Sequence, residues 1–246
     1  MRPEKKSFDA REMPRVRAGG SPAAVPGRLC TAGGRKVAIL PLGTGPRPIV
    51  WVHMPAEAAA ETARLLAGEN LVLAAVTDTD WERELSPWSA GRAFKGGRDF
   101  AGGSEEYLAA LKGEVIPAVE KELSEVPLWR GIAGYSLAGL FALWATWGSD
   151  SFSRFASVSG SLWYDGFTAY LQETEPVALP EKAYFSLGAL EKNTKNTRLA
   201  QVERCTAEAA ARLAALGGKT IFEKNEGGHF SGAEMRVAKG IRWLLR

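Results

Sequence analysis

The chain has 246 residues, 46% hydrophobic and 24% charged, which suits one large α/β domain and excludes a disordered or fibrous polypeptide. A formal net charge of +3, with no basic block beyond the N-terminal stretch, gives no electrostatic footprint for nucleic acid. No run of 18 apolar residues occurs and no apolar segment follows the charged N-terminus, so neither a membrane span nor a secretory signal is expected, and a cytoplasmic location is the default.

Residues 1–28 are polar, basic and rich in Pro and Gly; they read as a poorly ordered or peripheral arm, and residues 29–246 as a single domain. Segments 36–42, 48–54 and 70–76 are apolar enough for strands, the last two suiting the buried middle of a parallel sheet. An alanine-rich helix is expected at 55–67. Cys30 and Cys205 lie far apart without metal-ligand spacing and read as separate thiols. Residues 81–103 form a long segment with Trp, Pro, Gly and Arg throughout, a length that usually marks function. A helix at 104–123 has Ser104 as its expected N-cap and Glu105 and Glu106 in its first turn. Strands are then expected at 154–159, 182–187 and 220–224, and helices at 197–216, ended by Gly217 and Gly218, and at 233–245. Strands alternating with helices point to a mostly parallel sheet with helices on both faces.

The densest chemical signal lies between residues 129 and 147. A short apolar run leads into Gly134-Tyr135-Ser136-Leu137-Ala138-Gly139, and an unbroken apolar helical run follows. Strand, tight turn and helix with one serine at the tip form a nucleophile elbow, in which close neighbours must be small. The turn lifts the Ser136 hydroxyl to the carboxyl edge of the sheet, where the Leu137 N–H at the head of the helix is placed to hold an oxyanion. Gly19-Gly20-Ser21-Pro22-Ala23 has the same spacing but no strand before it and a proline where the helix would begin, so it is set aside.

A serine nucleophile needs a base, and the base an orienting group. Of the two histidines, His229 follows the last strand in a Gly-rich turn, whereas His53 sits inside an apolar strand and reads as a core residue. In this architecture the second oxyanion N–H comes from the connection after that strand, placed at Met54. Glu191 ends the strand before the last, giving the order Ser136, Glu191, His229; Asp165, one strand earlier, is the reserve acid.

Several stretches together resemble the esterase family of the α/β-hydrolase superfamily, in its enterochelin-esterase-like branch. Arg83-Glu84-Leu85-Ser86-Pro87 is similar to an Arg-Asp-Phe/Leu-Thr-Pro signature, and Gly102-Gly103-Ser104 with Ile116-Pro117 to a Gly-Gly segment and its helix. Residues 134–141 match the elbow, and Ser159-Gly160-Ser161-Leu162-Trp163 is similar to a Ser-Pro-Ser-Leu-Trp stretch. Gly188 to Glu191 and Gly228-His229-Phe230 stand where that branch carries its acid and its histidine. Ala138 replaces a glycine, Gly160 a common proline, and Ala189 a frequent Asp, which leaves Glu191 as the acid.

The resemblance implies an α/β-hydrolase fold and hydrolysis of a small-molecule ester, siderophore-type esters included, without metal or cofactor. Trp81, Arg83, Trp88, Tyr135 and Trp163 are the expected pocket residues. A catalytically silent binding protein and an acyltransferase are the alternatives, and oligomeric state is left open.

Overall fold

The computed structural model describes residues 27–246. The strands in chain order are β1 (Arg28–Ala32), β2 (Arg35–Leu42), β3 (Ile49–His53), β4 (Leu71–Val76), β5 (Ser89–Ala90), β6 (Phe100–Ala101), β7 (Arg130–Tyr135), β8 (Arg154–Val158), β9 (Lys182–Gly188) and β10 (Lys219–Asn225). The helices are α1 (Ala56–Leu65), α2 (Trp81–Glu84), α3 (Ser104–Ala110), α4 (Ile116–Lys121), α5 (Leu137–Trp147), α6 (Phe167–Glu173), α7 (Val202–Ala215) and α8 (Ala233–Leu245).

Eight strands form one sheet in the order β1-β2-β4-β3-β7-β8-β9-β10, and β5 and β6 pair separately. β1–β2 and β2–β4 are antiparallel, and each pair from β4–β3 to β9–β10 is parallel. With helices on both faces, this is the α/β-hydrolase fold.

The continuous apolar strands follow from burial on both sides. In β3, Ile49 and Trp51 face the core beneath α5 and α7, while Val50 and Val52 face the core beneath α1 and α8. β4 alternates in the same way, with Val72, Ala74 and Val76 on the first face and Leu71, Leu73 and Ala75 on the second. Parallel strands send their carboxyl ends to one edge, so the segments after β7, β9 and β10 emerge together.

Some expectations change. For the arm proposed at 1–28, residues 1–26 lie outside the described residues, and Arg28 already opens β1. That strand is mostly solvent-exposed and so lacks an apolar signature. Residues 81–103 are organised by α2 and the β5–β6 ribbon. The helix expected at 104–123 is broken by a π-helical stretch at Leu111–Val115. Pro117 explains it: proline has no N–H and its ring crowds the carbonyl four residues back, so the turn widens. Gly103, not Ser104, caps α3, and the Ser104 hydroxyl instead donates to Glu84 O at 3.0 Å. Among the described residues, no helix is long and apolar enough to cross a membrane.

Candidate active site

β7 ends at Tyr135 and α5 begins at Leu137, so Ser136 alone makes the turn, at φ 58° and ψ −122°. A non-glycine residue at positive φ costs roughly 1–3 kcal/mol and persists only where its surroundings over-determine it. Here the Ser136 N–H donates to Val158 O at 3.0 Å, and its carbonyl accepts from the N–H groups of Gly139, Leu140 and Ser161 at 3.0, 3.2 and 3.0 Å. Gly134 is obligatory: a Cβ there would lie 2.1 Å from Ala138 O.

The edge position brings three side chains into one line. Ser136 Oγ lies 3.1 Å from His229 Nε2, and His229 Nδ1 lies 2.7 Å from Glu191 Oε2. The second carboxylate oxygen accepts from the Gly188 N–H at 2.5 Å and the Ser159 hydroxyl at 2.7 Å. Burial pushes the Glu191 carboxyl up, but the hydrogen bond and charge of His229, with the Gly188 and Ser159 donors, outweigh it and hold the group below the ordinary carboxylate range. The Tyr135 ring packs 5.2 Å from the imidazole, and burial, then the charge of Glu191, push its phenol up.

The other candidates lie elsewhere. His53 is 2% exposed, and its Nε2 is 2.9 Å from the Tyr107 hydroxyl. Burial, then the charge of Arg35, push its imidazole down to about 3, so it is neutral at physiological pH. Asp165 pairs with Arg198 Nε at 2.8 Å. The Met54 N–H, expected as an oxyanion donor, donates to Val76 O at 3.3 Å, extending the β3–β4 ladder, and the next residue, Pro55, has no N–H. Leu137, the first residue of α5, has its N–H outside the helix ladder.

The aromatic residues of the long segment are mostly packed. Trp88 meets Tyr164, Phe167 and Tyr170 and donates from Nε1 to Asp165 O at 2.8 Å. Trp163 lies under the Arg198 guanidinium at 4.9 Å, Trp81 is half-buried against the core, and exposed Arg83 pairs with Glu106. The Arg83 to Pro87 signature fastens this segment: Glu84 binds Arg35 and the Asp80 N–H, and Ser86 Oγ accepts from the Gly102 N–H. Among the described residues, no group of three or more His, Cys, Asp or Glu side chains is gathered as metal ligands.

A family model described as "Putative esterase" matches residues 56–225. The chain belongs to this esterase family. It is similar to the uncharacterized protein YbbA of Bacillus subtilis, 29% identical over 133 residues, a match covering 52% of each chain. The match thus spans about half the length of that relative. In structure it is similar to an IroE-like serine hydrolase from Shewanella oneidensis (TM-score 0.70, 16% identity, 86% of this chain and 75% of that one). It is also similar to the siderophore hydrolase EstA from Aspergillus nidulans (TM-score 0.68, 17% identity, 94% and 99%). At such identities the likeness shows the fold alone.

Two side chains that the sequence did not mark as functional complete the arrangement. Ser159, at the end of β8, has φ 48° and reaches Glu191. Arg236, in the first turn of α8, is 4% exposed and lies 3.4 Å from Glu191 Oε1. Its signal was available: an arginine on the same face as Val237, Gly240, Ile241 and Leu244 of an amphipathic helix is a buried charge that needs a partner.

Proposed function

We propose that this chain is a serine hydrolase of carboxylic esters, with Ser136 as nucleophile, His229 as general base and acid, and Glu191 as the group that orients His229. The observation that carries this reading is the unbroken line Ser136 Oγ–His229 Nε2–Nδ1–Glu191 Oε2, with contacts of 3.1 and 2.7 Å.

The reaction runs in two halves. Ser136 Oγ attacks the ester carbonyl as its proton passes to His229 Nε2, and negative charge develops on the carbonyl oxygen. The Leu137 N–H, at the positive end of α5, stabilises that charge. As the tetrahedral species collapses, the imidazolium gives its proton to the leaving alcohol and the acyl group stays on Ser136. Water then enters, gives a proton to His229 and attacks the acyl carbon; the acid leaves and Oγ regains its proton. Glu191 stays ionised throughout, fixing the Nδ1–H tautomer and supporting the positive ring. We place Tyr135, with its ring against the imidazole, and Trp81 and Arg83 near the substrate approach. Trp88 and Trp163 hold the surrounding segment in shape.

The name of the Aspergillus nidulans neighbour makes siderophore-type esters the first natural substrates to try. The test is a panel of p-nitrophenyl esters and a catecholate triester, run with the wild type and Ser136→Ala. Hydrolysis of at least one class is expected, falling on the order of 10³-fold or more in the variant. Unchanged hydrolysis by a folded Ser136→Ala protein would refute the assignment.

A further inference from the structure

The sheet sets a problem that three hydrogen-bonded side chains do not solve by themselves. Adjacent strands lie about 4.8 Å apart, and β8 and β9 stand between the strand that carries Ser136 and the strand that feeds His229, so those two axes are separated by roughly 14 Å. His229 nevertheless meets Ser136 at 3.1 Å. The segment after β10 must therefore lean back across the end of β9. It does so at close range: a Cβ at Gly188 would lie 2.5 Å from Gly227 O, 2.8 Å from Gly228 O and 2.9 Å from Arg236 Nη2.

One side chain reaches that overhang at two points and the acid beside it. Arg236 Nη2 donates to Glu226 O at 2.6 Å and Gly228 O at 3.1 Å, the carbonyls flanking the bend before His229. Its Nη1 donates to Ser159 Oγ at 3.2 Å and lies 3.4 Å from Glu191 Oε1. The planar fork of a guanidinium can serve a carboxylate, a hydroxyl and two carbonyls at once; a lysine ammonium offers a single point of charge. The pair is nearly dry, with the two side chains 5% and 3% exposed.

We propose that Arg236 is a positioning residue that locks the base-bearing loop and the acid into one frame, acting through Glu191 and His229 without touching substrate. This rests on the Ser136–His229–Glu191 reading. The ionisable groups facing this frame are Glu191 after β9, His229 after β10, Arg236 and Glu234 on α8, Tyr135 on β7, and Tyr184 on β9, whose hydroxyl donates to Glu223.

The test is a double-mutant cycle on kcat, with KM and melting temperature followed alongside. Arg236→Met should lower kcat about 10–100-fold, the worth of hydrogen bonds to a charged partner, and leave KM within about twofold. Arg236→Lys should fall between the two proteins. In a Glu191→Gln background the Arg236→Met substitution should cost clearly less than in the wild type, because the loop that Arg236 still holds is no longer tied to a charged acid. That double variant removes both buried charges and is the form that folds if Arg236→Met alone does not. Wild-type kcat in a folded Arg236→Met or Arg236→Lys protein, a KM that rises as much as kcat falls, or fully additive losses would overturn the proposal. Failure of the underlying reading has a different signature: Ser136→Ala would keep turnover whatever Arg236 does.

Discussion

Glu191 Oε2 lies 2.7 Å from His229 Nδ1 although 38 residues separate the two in sequence. Its two oxygens have separate partners, one facing the imidazole and the other held by the Gly188 N–H and the Ser159 hydroxyl. Asp165 instead binds Arg198. Glu191→Gln should therefore lower kcat, on the order of 10²–10⁴-fold, and hardly change KM, since the acid touches no substrate in this account. Asp165→Asn should keep kcat near wild type. Steady-state kinetics on one chromogenic ester check both, and the reverse ranking would return the acid to Asp165.

The direction of the Glu191 shift sets a pH expectation. Its folded pKa is depressed, so its contribution to stability is present above the unfolded glutamate value of about 4.3 and is lost as pH falls through the lower folded value. Glu191 therefore remains ionised through the mildly acidic range. Protonation of Glu191 should therefore produce no break in kcat/KM within the ordinary glutamate range. A profile from pH 4 to 9 that breaks within that range, and loses the break in Glu191→Gln, would contradict this.

His53 makes the opposite kind of prediction. With its imidazole pushed down to about 3, it stays neutral while the unfolded chain takes up a proton below about pH 6.5. Proton uptake by the unfolded state alone means that stability falls as pH drops across that window, by up to ~1.4 kcal/mol per pH unit from this group. His53→Gln should flatten the slope of urea-unfolding free energy between pH 7 and 5 and keep substantial esterase activity. An unchanged slope, or loss of activity in a folded variant, contradicts the assignment of His53 to the core.

Much of this arrangement is legible in the sequence, because local rules and topology agree on it. The elbow is local: Gly134, Ser136 and the apolar helix behind it lie within a few residues, and strand order then places Glu191 and His229 at the same edge. What was hidden depended on contacts between distant segments. Whether the Met54 N–H is free depends on Val76, across the β3–β4 ladder, and the composition around residue 54 does not reveal it. Ser159 and Arg236 sit on different elements and meet only through the fold. The π-helical stretch had a local cause in Pro117, but a proline near a helix start is equally compatible with a regular first turn.

The oxyanion site is open to direct observation. The β3–α1 connection consists of Met54, whose N–H is engaged, and Pro55, which has none, so stabilisation should rest on the head of α5. On titration with a boronic acid that forms a tetrahedral adduct, the Leu137 amide resonance should shift strongly and the Met54 resonance should not. A large Met54 shift would restore that residue as a donor.

The central claim is that Ser136 is a nucleophile activated by His229. The most direct measurement is covalent labelling with a fluorophosphonate, read by intact-protein and peptide mass spectrometry. The account predicts one adduct per chain, located on Ser136, absent from Ser136→Ala, and formed on the order of 10³-fold more slowly in His229→Ala. An adduct on another residue, or equal labelling rates in the wild type and a folded His229→Ala protein, would contradict it.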